Sequence, residues 1–339
     1  MNAKRLMALC ALALAATLAV AQKANIVYVE GSAKVKSGSG SLREADIGGT
    51  VGYGESVITG RDGLVELTLP NGSSIKLSQN SVFSYSSLGS GSDERPVLAT
   101  TAGRVSYKLK KATGRSPMIQ TNSMVAGVRG TEFTVFAGMD GCVLLAVEGG
   151  IVDVEAQGKT VSLVKDEAVE VEPGKAPGAK FVYLGRPLDF RSWNQGRTDD
   201  FLADPIAAID RVARQLEGYR AALADLQKPY EEATVRWQAA AAKYKEIVAG
   251  GDQDEIKRFQ QETLFPAEDE RAVLILNIRH HALNYLSMRR YVLSNMYMEM
   301  KTRYPLEPTA QAAAFFAKHG EILARYEDRI VPKLNKNDY

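Results

Sequence analysis

The residue types best suited to catalysis or metal binding are few in this chain and poorly spaced for either. Histidine occurs three times, as His280, His281 and His319. Neighbouring helix residues point about 100° apart, so His280 and His281 do not readily face one metal ion. A metal site needs three or four converging ligands, and neither an HExxH nor a CxxC pattern occurs. The histidines read as ordinary helix residues. Glu268-Asp269-Glu270 reads as the first turn of a helix, where carboxylates complement the macrodipole. Glycosidase chemistry would instead need two carboxylates across a cleft. Asp252, Asp254 and Glu255 lack the rest of a calcium loop. The Gly/Ser runs at 37–41 and 86–92 lack the strand–turn–helix setting of a phosphate loop or nucleophile elbow, and read as exposed loops. Tyr230, Trp237 and Tyr244 share one helical stripe that could stack on a sugar, but heptad spacing turns such a stripe toward a partner helix. No catalytic residue, metal ligand or cofactor is expected, and the chain reads as a non-enzyme.

Lys4 and Arg5 precede an apolar run from Leu6 to Val20, which closes with Ala19-Val20-Ala21 before Gln22. A basic start, an apolar middle and a small-x-small end make a signal peptide, with cleavage expected between Ala21 and Gln22. The run is short for a membrane span, which needs about 20 residues, so an uncleaved anchor is the lesser reading. Without Lys4 and Arg5 the mature chain has 40 basic and 40 acidic residues. That balance argues against a nucleic-acid partner, which needs a basic surface. No later segment reaches membrane-spanning length. Cys142 is the one cysteine outside the signal peptide, so no internal disulfide can form. It reads as a small apolar residue at a strand start, or else as a thiol pairing between chains.

The texture of the chain changes near residue 190. Residues 24–185 are rich in Gly, Ser, Val and Thr, and 199–336 in Ala, Glu, Lys, Arg, Leu and Tyr. In the first part Val65, Leu67 and Leu69 alternate with polar residues, and Ile75 and Leu77 follow Asn71-Gly72, a hairpin signal. Similar short runs recur at 105–109, 133–135, 143–147, 151–154, 161–163 and 169–171. Many short strands without a βαβ pattern predict a rolled or sandwich-like all-β domain. In the second part Asp204-Pro205 starts a helix, Pro229 divides the pattern, and Gly250-Gly251 stops it. A helix is expected over 268–303 and another over 309–331. Apolar spacings of three and four predict an elongated antiparallel bundle or coiled coil. The class is therefore α+β: signal peptide 1–21, β domain 22–172, a Pro/Gly-containing connector 173–198 and an α-helical domain 199–339. Pro173, Pro177 and Pro187 should keep the connector irregular. Its Phe181, Tyr183, Phe190 and Trp193 are too apolar for a free linker and should pack on one domain or between both.

Four motifs stand in order along the β part. Gly54 to Gly63, with Thr59 and Gly60 inside it, leads to Asn71-Gly72-Ser73. Gly103-Arg104-Val105, Val128-Arg129-Gly130-Thr131-Glu132-Phe133 and Val147-Glu148-Gly149-Gly150 follow. Together they resemble the periplasmic domain of the FecR family over about residues 50–172. The motif residues read as structural: glycines for positive φ, apolar residues for the sheet interior. Arg129 reads as a hydrogen-bonding tie or, alternatively, a ligand-binding residue. The resemblance implies an envelope location of the Gram-negative type, and regulation: membrane-bound FecR proteins relay an outer-membrane transport signal to a sigma factor. A signal peptide stands here where such a relay needs a cytoplasmic tail and membrane span, so signalling remains an alternative. The expected function is a non-catalytic, exported, periplasmic or envelope protein. Its β domain binds protein partners, and its helices extend it or form a homo-oligomer. A cell-wall glycan is the alternative ligand.

Overall fold

The structure, a computed structural model, describes residues 23–88, 95–111, 116–128, 130–184 and 188–326. Ala21, Gln22 and Arg129 lie outside the described residues. Within them, 17 strands form one continuous hydrogen-bonded sheet folded into two layers. One layer runs in the order β4 (Thr50–Val51), β1 (Ala24–Glu30), β6 (Leu64–Thr68), β7 (Ser74–Leu77), β9 (Arg95–Lys108), β12 (Glu132–Ala137), β13 (Val143–Gly149), β16 (Glu167–Val171) and β17 (Phe181–Val182). The other runs β3 (Leu42–Glu44), β2 (Ala33–Lys36), β5 (Glu55–Thr59), β8 (Val82–Leu88), β9 again, β10 (Met118–Gln120), β11 (Val125–Val128), β14 (Ile151–Ala156) and β15 (Lys159–Val164). Leu67, Ile75, Val105 and Phe133 of the first layer share one core with Val57, Phe83, Leu98 and Val154 of the second.

β9 belongs to both layers. Its first half pairs with β8 and β10, its second with β7 and β12. The change of layer falls at Gly103, whose φ is +78°. A Cβ there would lie 2.4 Å from Ser81 Oγ and 2.6 Å from the Asn80 carbonyl oxygen, so only glycine fits the corner.

Where one face is solvated, burial alternates, as in β6 and β14. In β12 and β13 it does not, because both faces are covered. Phe136, Leu144, Ala146 and Ala168 on the outer face pack against Tyr183, Leu188, Phe190 and Trp193. The connector is therefore not irregular throughout. It contributes β17 and then helix α1 (Phe190–Ala203), which Asp189 caps by accepting hydrogen bonds from the Arg191 N–H at 3.0 Å and the Ser192 hydroxyl at 2.5 Å.

Helix α2 (Pro205–Gly250) starts where Asp204 accepts from the Ala207 N–H at 2.9 Å and ends at Gly251, φ +80°. It runs through Pro229 without a break. One missing N–H on a helix packed along its length is tolerated, although proline is a strong breaker in isolation. After Gly251, α3 (Gln253–Phe259), α4 (Phe265–Ser287) and α5 (Leu293–Arg303) follow, joined without interruption by π-helical turns at Gln260–Leu264 and Met288–Val292. The expected helix thus begins 15 residues before residue 268 and is continuous. Glu268-Asp269-Glu270 has no free helix end to complement; Glu270 instead pairs with Arg236 of α2 at 2.8 Å. Helix α6 spans Ala310–Arg325, and the expected extension beyond 326 lies outside the described residues. The chain is a large β part followed by a helical region, and α4 and α6 both pack against α2.

Candidate functional site: a cleft at the sheet corner

The β turns and the helices meet through polar contacts. Tyr219 of α2 donates to the Asn122 carbonyl at 2.8 Å, and Asn122 Nδ2 donates to the Thr101 carbonyl at 2.9 Å. Burial pushes the Tyr219 hydroxyl up to about 12, so it stays a donor throughout the physiological range. Gln120 donates to Asn284 of α4. Arg197 of α1 pairs with Glu170 at 3.0 Å and also with Asp200. Arg211 of α2 reaches Glu172 at 3.5 Å. The second π-helical turn sits on the β12–β13 turn: a Cβ on Gly141 would lie 3.5 Å from Val292 and 3.6 Å from the Met288 sulfur.

Beside this junction lies a cleft of about 900 Å³. Its β wall comprises the 78–80 turn, Gly103-Arg104 and residues 137–139; its helical wall is the first turns of α1, with Asn295 of α5 also in the lining. Asn80 has φ +51°, an uncommon conformation for a residue with a side chain, and abuts Gly103, so two left-handed residues meet at the corner. The backbone of Arg104 is tied to the same turn: its N–H donates to Ser81 Oγ at 3.0 Å, and its carbonyl accepts from the Ser78 N–H at 3.0 Å. Its guanidinium stands 5.6 Å from the Phe136 ring centroid. Among the described residues no hydrogen bond engages the side chains of Gln79, Asn80, Asn194 or Asn295, and no ion pair within 4.0 Å engages Arg104 or Arg191. Phe190, the aromatic side chain of the lining, stands 5.2 Å from Phe136 and 6.1 Å from Trp193, which are 6.3 Å from each other, so the three rings make a triangular cluster.

The motif residues fall elsewhere on the sandwich, apart from Gly103. Gly54 donates to the Tyr85 carbonyl at 2.8 Å and has φ +84°. Thr59 is buried; its hydroxyl donates to the Ser78 carbonyl at 2.6 Å and accepts from the Ser81 N–H at 2.8 Å. Gly60 donates to the Ser32 carbonyl at 2.7 Å, and a Cβ on Gly63 would lie 2.2 Å from the same oxygen. Asn71 accepts from the Ser73 N–H at 2.9 Å across Gly72, φ +76°, and Ser73 Oγ accepts from the Lys110 N–H at 3.0 Å. Gly130, φ +63°, precedes buried Thr131, whose carbonyl accepts from the Leu109 N–H at 2.8 Å. Phe133 is fully buried and stacks on Tyr107 at 4.9 Å. Gly149 pairs opposite Glu132 at the end of β13. These residues lock turns together and do not converge on one surface.

Of the chemical candidates, His319 is buried and its Nε2 lies 3.2 Å from the Leu293 carbonyl, while His280 and His281 lie on α4. Asp252 caps α3, accepting from the Asp254 and Glu255 N–H groups. Tyr230 is buried, Arg271 stands 4.6 Å over the Trp237 ring, and the Tyr244 hydroxyl accepts from Gln260 at 2.7 Å. Cys142 is fully buried. It lies 3.1 Å from Asp140 and 3.6 Å from Arg197, and burial pushes its thiol well above the usual range, which removes pairing between chains. Among the described residues no group of three or more His, Cys, Asp or Glu is placed to hold a metal ion. No sequence reading reached the cleft. Its walls come from residues 64 to 295, and only the Gly103-Arg104 motif pointed toward it.

Residues 55–152 match the FecR protein family, from the start of β5 into β14. No curated protein matches the chain. Two crystal structures of a candidate anti-sigma factor from Parabacteroides distasonis ATCC 8503 are similar to it. One is 19% identical over 42% of this chain and 65% of its own, with a TM-score of 0.35. The other is 18% identical over 38% and 59%, with a TM-score of 0.31. The chain thus spans less than two thirds of either. The stretch that matches the FecR family lies within the β part, with further strands on both sides of it and helices after it.

Proposed function

We propose that this is a non-catalytic, exported protein of the cell envelope, whose cleft at the Gly103 corner receives a segment of a protein partner. The observation that carries this is the composition of the cleft. A wall from the FecR-matched stretch and a helical wall line it with carboxamides that the described residues do not hydrogen-bond and with two exposed arginines that form no ion pair with them within 4.0 Å. Groups of that kind, preorganised on strand ends and a capped helix, suit recognition more than chemistry. The helices act as an antiparallel bundle that holds the second wall and extends the molecule. Export rests on the signal peptide at 1–21 and on the envelope association typical of the family. Among the described residues no helix is long and apolar enough to cross a membrane. A photo-crosslinking residue at Asn80 or Asn194 should capture a partner in intact cells, while one at Thr160, on β15 away from the cleft, should not. Absence of adducts from the cleft positions, or equal adducts from Thr160, would refute the cleft as the site.

The FecR match favours a second reading, an envelope signalling regulator. Deleting the gene and profiling transcripts tests it: a confined regulon shift supports it, and an unchanged profile under several growth conditions removes it.

A further inference from the structure

Resting on the cleft being the partner site, we infer that its occupant is an extended peptide segment bearing an acidic side chain. Among the described residues three charged side chains line the cleft: Arg104, Arg191 and Asp189. Asp189 is already engaged, since its two carboxylate oxygens accept from the Arg191 N–H and the Ser192 hydroxyl. Hydrogen bonds from Ser192 and Arg191, together with the nearby Arg191 charge, hold its carboxyl below the usual range, so it stays an ionised cap of α1. Two guanidiniums against one carboxylate leave the lining net positive, and both arginines are exposed, one on each wall. A carboxylate is the ligand group that a guanidinium binds with paired, charge-assisted hydrogen bonds.

The remaining polar lining is uncharged. Gln79 and Asn80 belong to the β wall and Asn194 to the helical wall, and Asn295 of α5 also lines the cleft. A carboxamide presents both a donor and an acceptor, which is the complement of a peptide backbone in extended form. A neutral sugar would satisfy the same carboxamides but offers no counter-charge to Arg104 and Arg191, so the charge of the lining favours an acidic peptide over a neutral glycan. The fixed backbone of Arg104, tied to the 78–81 turn by its N–H and its carbonyl, holds one charge at a set position along the cleft.

The test is selection of a random extended octapeptide library displayed on phage against the mature chain, and in parallel against the Arg104→Gln/Arg191→Gln double variant. Both arginines are exposed, so the variant should fold, and its circular dichroism and urea midpoint should match the parent. Peptides selected on the parent should be enriched in Asp or Glu at one or two positions. Synthetic versions should lose at least tenfold in affinity on the double variant, on replacing the acid by its amide, and on raising the salt to 0.5 M. Selected peptides without acidic enrichment, no selected peptides, or unchanged affinity on the double variant would overturn the inference. So would preferential retention of the parent on insoluble cell wall, displaced by glycan fragments. If cleft crosslinks capture a partner whose contacting segment lacks an acid, the acidic specificity fails while the cleft remains the partner site.

Discussion

In the sandwich, buried side chains from both layers belong to one continuous cluster, whereas the helices divide theirs between a larger group around Phe201, Tyr285 and Phe315 and a smaller one around Leu223, Tyr230 and Ile278. The sandwich core is almost wholly apolar. Tyr85 and Tyr107 are buried in it, and the Tyr107 hydroxyl is satisfied by Thr100 at 2.5 Å. The helical region buries His319 and, with the β turns, Gln120, Asn122 and Asn284. The difference lies in geometry. Two sheets face each other over their whole area, while a long helix meets successive partners along its length and leaves a separate cluster at each. The sandwich should therefore behave as one self-sufficient unit, and the helices as segments that lean on it.

The largest effect is expected from Phe133→Ala, which empties a stacked aromatic site shared by both layers. It should cost about 3–5 kcal/mol, against about 2 kcal/mol for Ile278→Ala, where a small peripheral cluster can collapse. Urea unfolding of single-tryptophan variants reads the two regions apart, because Trp193 sits at the junction and Trp237 on the distal part of α2. Equal shifts at both reporters for either substitution would mean that the two regions unfold as one. Gly103→Val should cost at least about 2 kcal/mol, since it combines a left-handed backbone with a clash against the 80–81 turn. It should lower the junction transition first, and a variant as stable as the parent would show that the corner can relax.

Arg197→Met should cost about 1–2 kcal/mol. Glu170 would lose its partner, but both side chains are partly exposed, so the penalty of a fully buried broken pair is discounted. The loss should register at Trp193 and barely at Trp237. The smallest effect is a pH dependence confined to the helices. Burial holds His319 and His281 below the ordinary histidine value, so the unfolded chain binds protons that the folded one excludes. Their contribution is intact above the ordinary value near 6.5 and is lost as pH falls below it. Urea midpoints at Trp237 should drop between pH 7 and 5, and His319→Gln should flatten part of that slope. An identical slope at Trp193 would blur the contrast between the regions.

Much of the sandwich was legible because β6, β7 and β14 are covered on one face, so the alternation of Val65, Leu67, Ile75, Val152 and Val154 reports the buried side. β12 and β13 were harder. Val143 to Val147 is apolar on both parities, and Phe136 adds an apolar residue on the outer face of β12, because α1 covers that face; these residues were the signal of the cover. Helix ends at Asp204-Pro205 and Gly251 were readable from capping chemistry. Continuity through Pro229 and the two π-helical turns was not, since neighbouring elements, rather than local preference, decide them. The cleft was illegible for a similar reason. Asn80 and Asn194 carry no motif, and only the crossing of β9 between layers and the docking of α1 bring them into one cleft.

The passage of β9 through both layers also shapes how the chain must fold. Neither layer can be completed while the other is open, because each needs a different half of the same strand. The pairing of β9 with β12 closes a loop of about 30 residues on one side of Gly103, and its pairing with β8 a shorter one on the other. Gly103 is thus the point at which the hydrogen-bonded pairings of both layers meet, so a change of backbone there is felt in both at once.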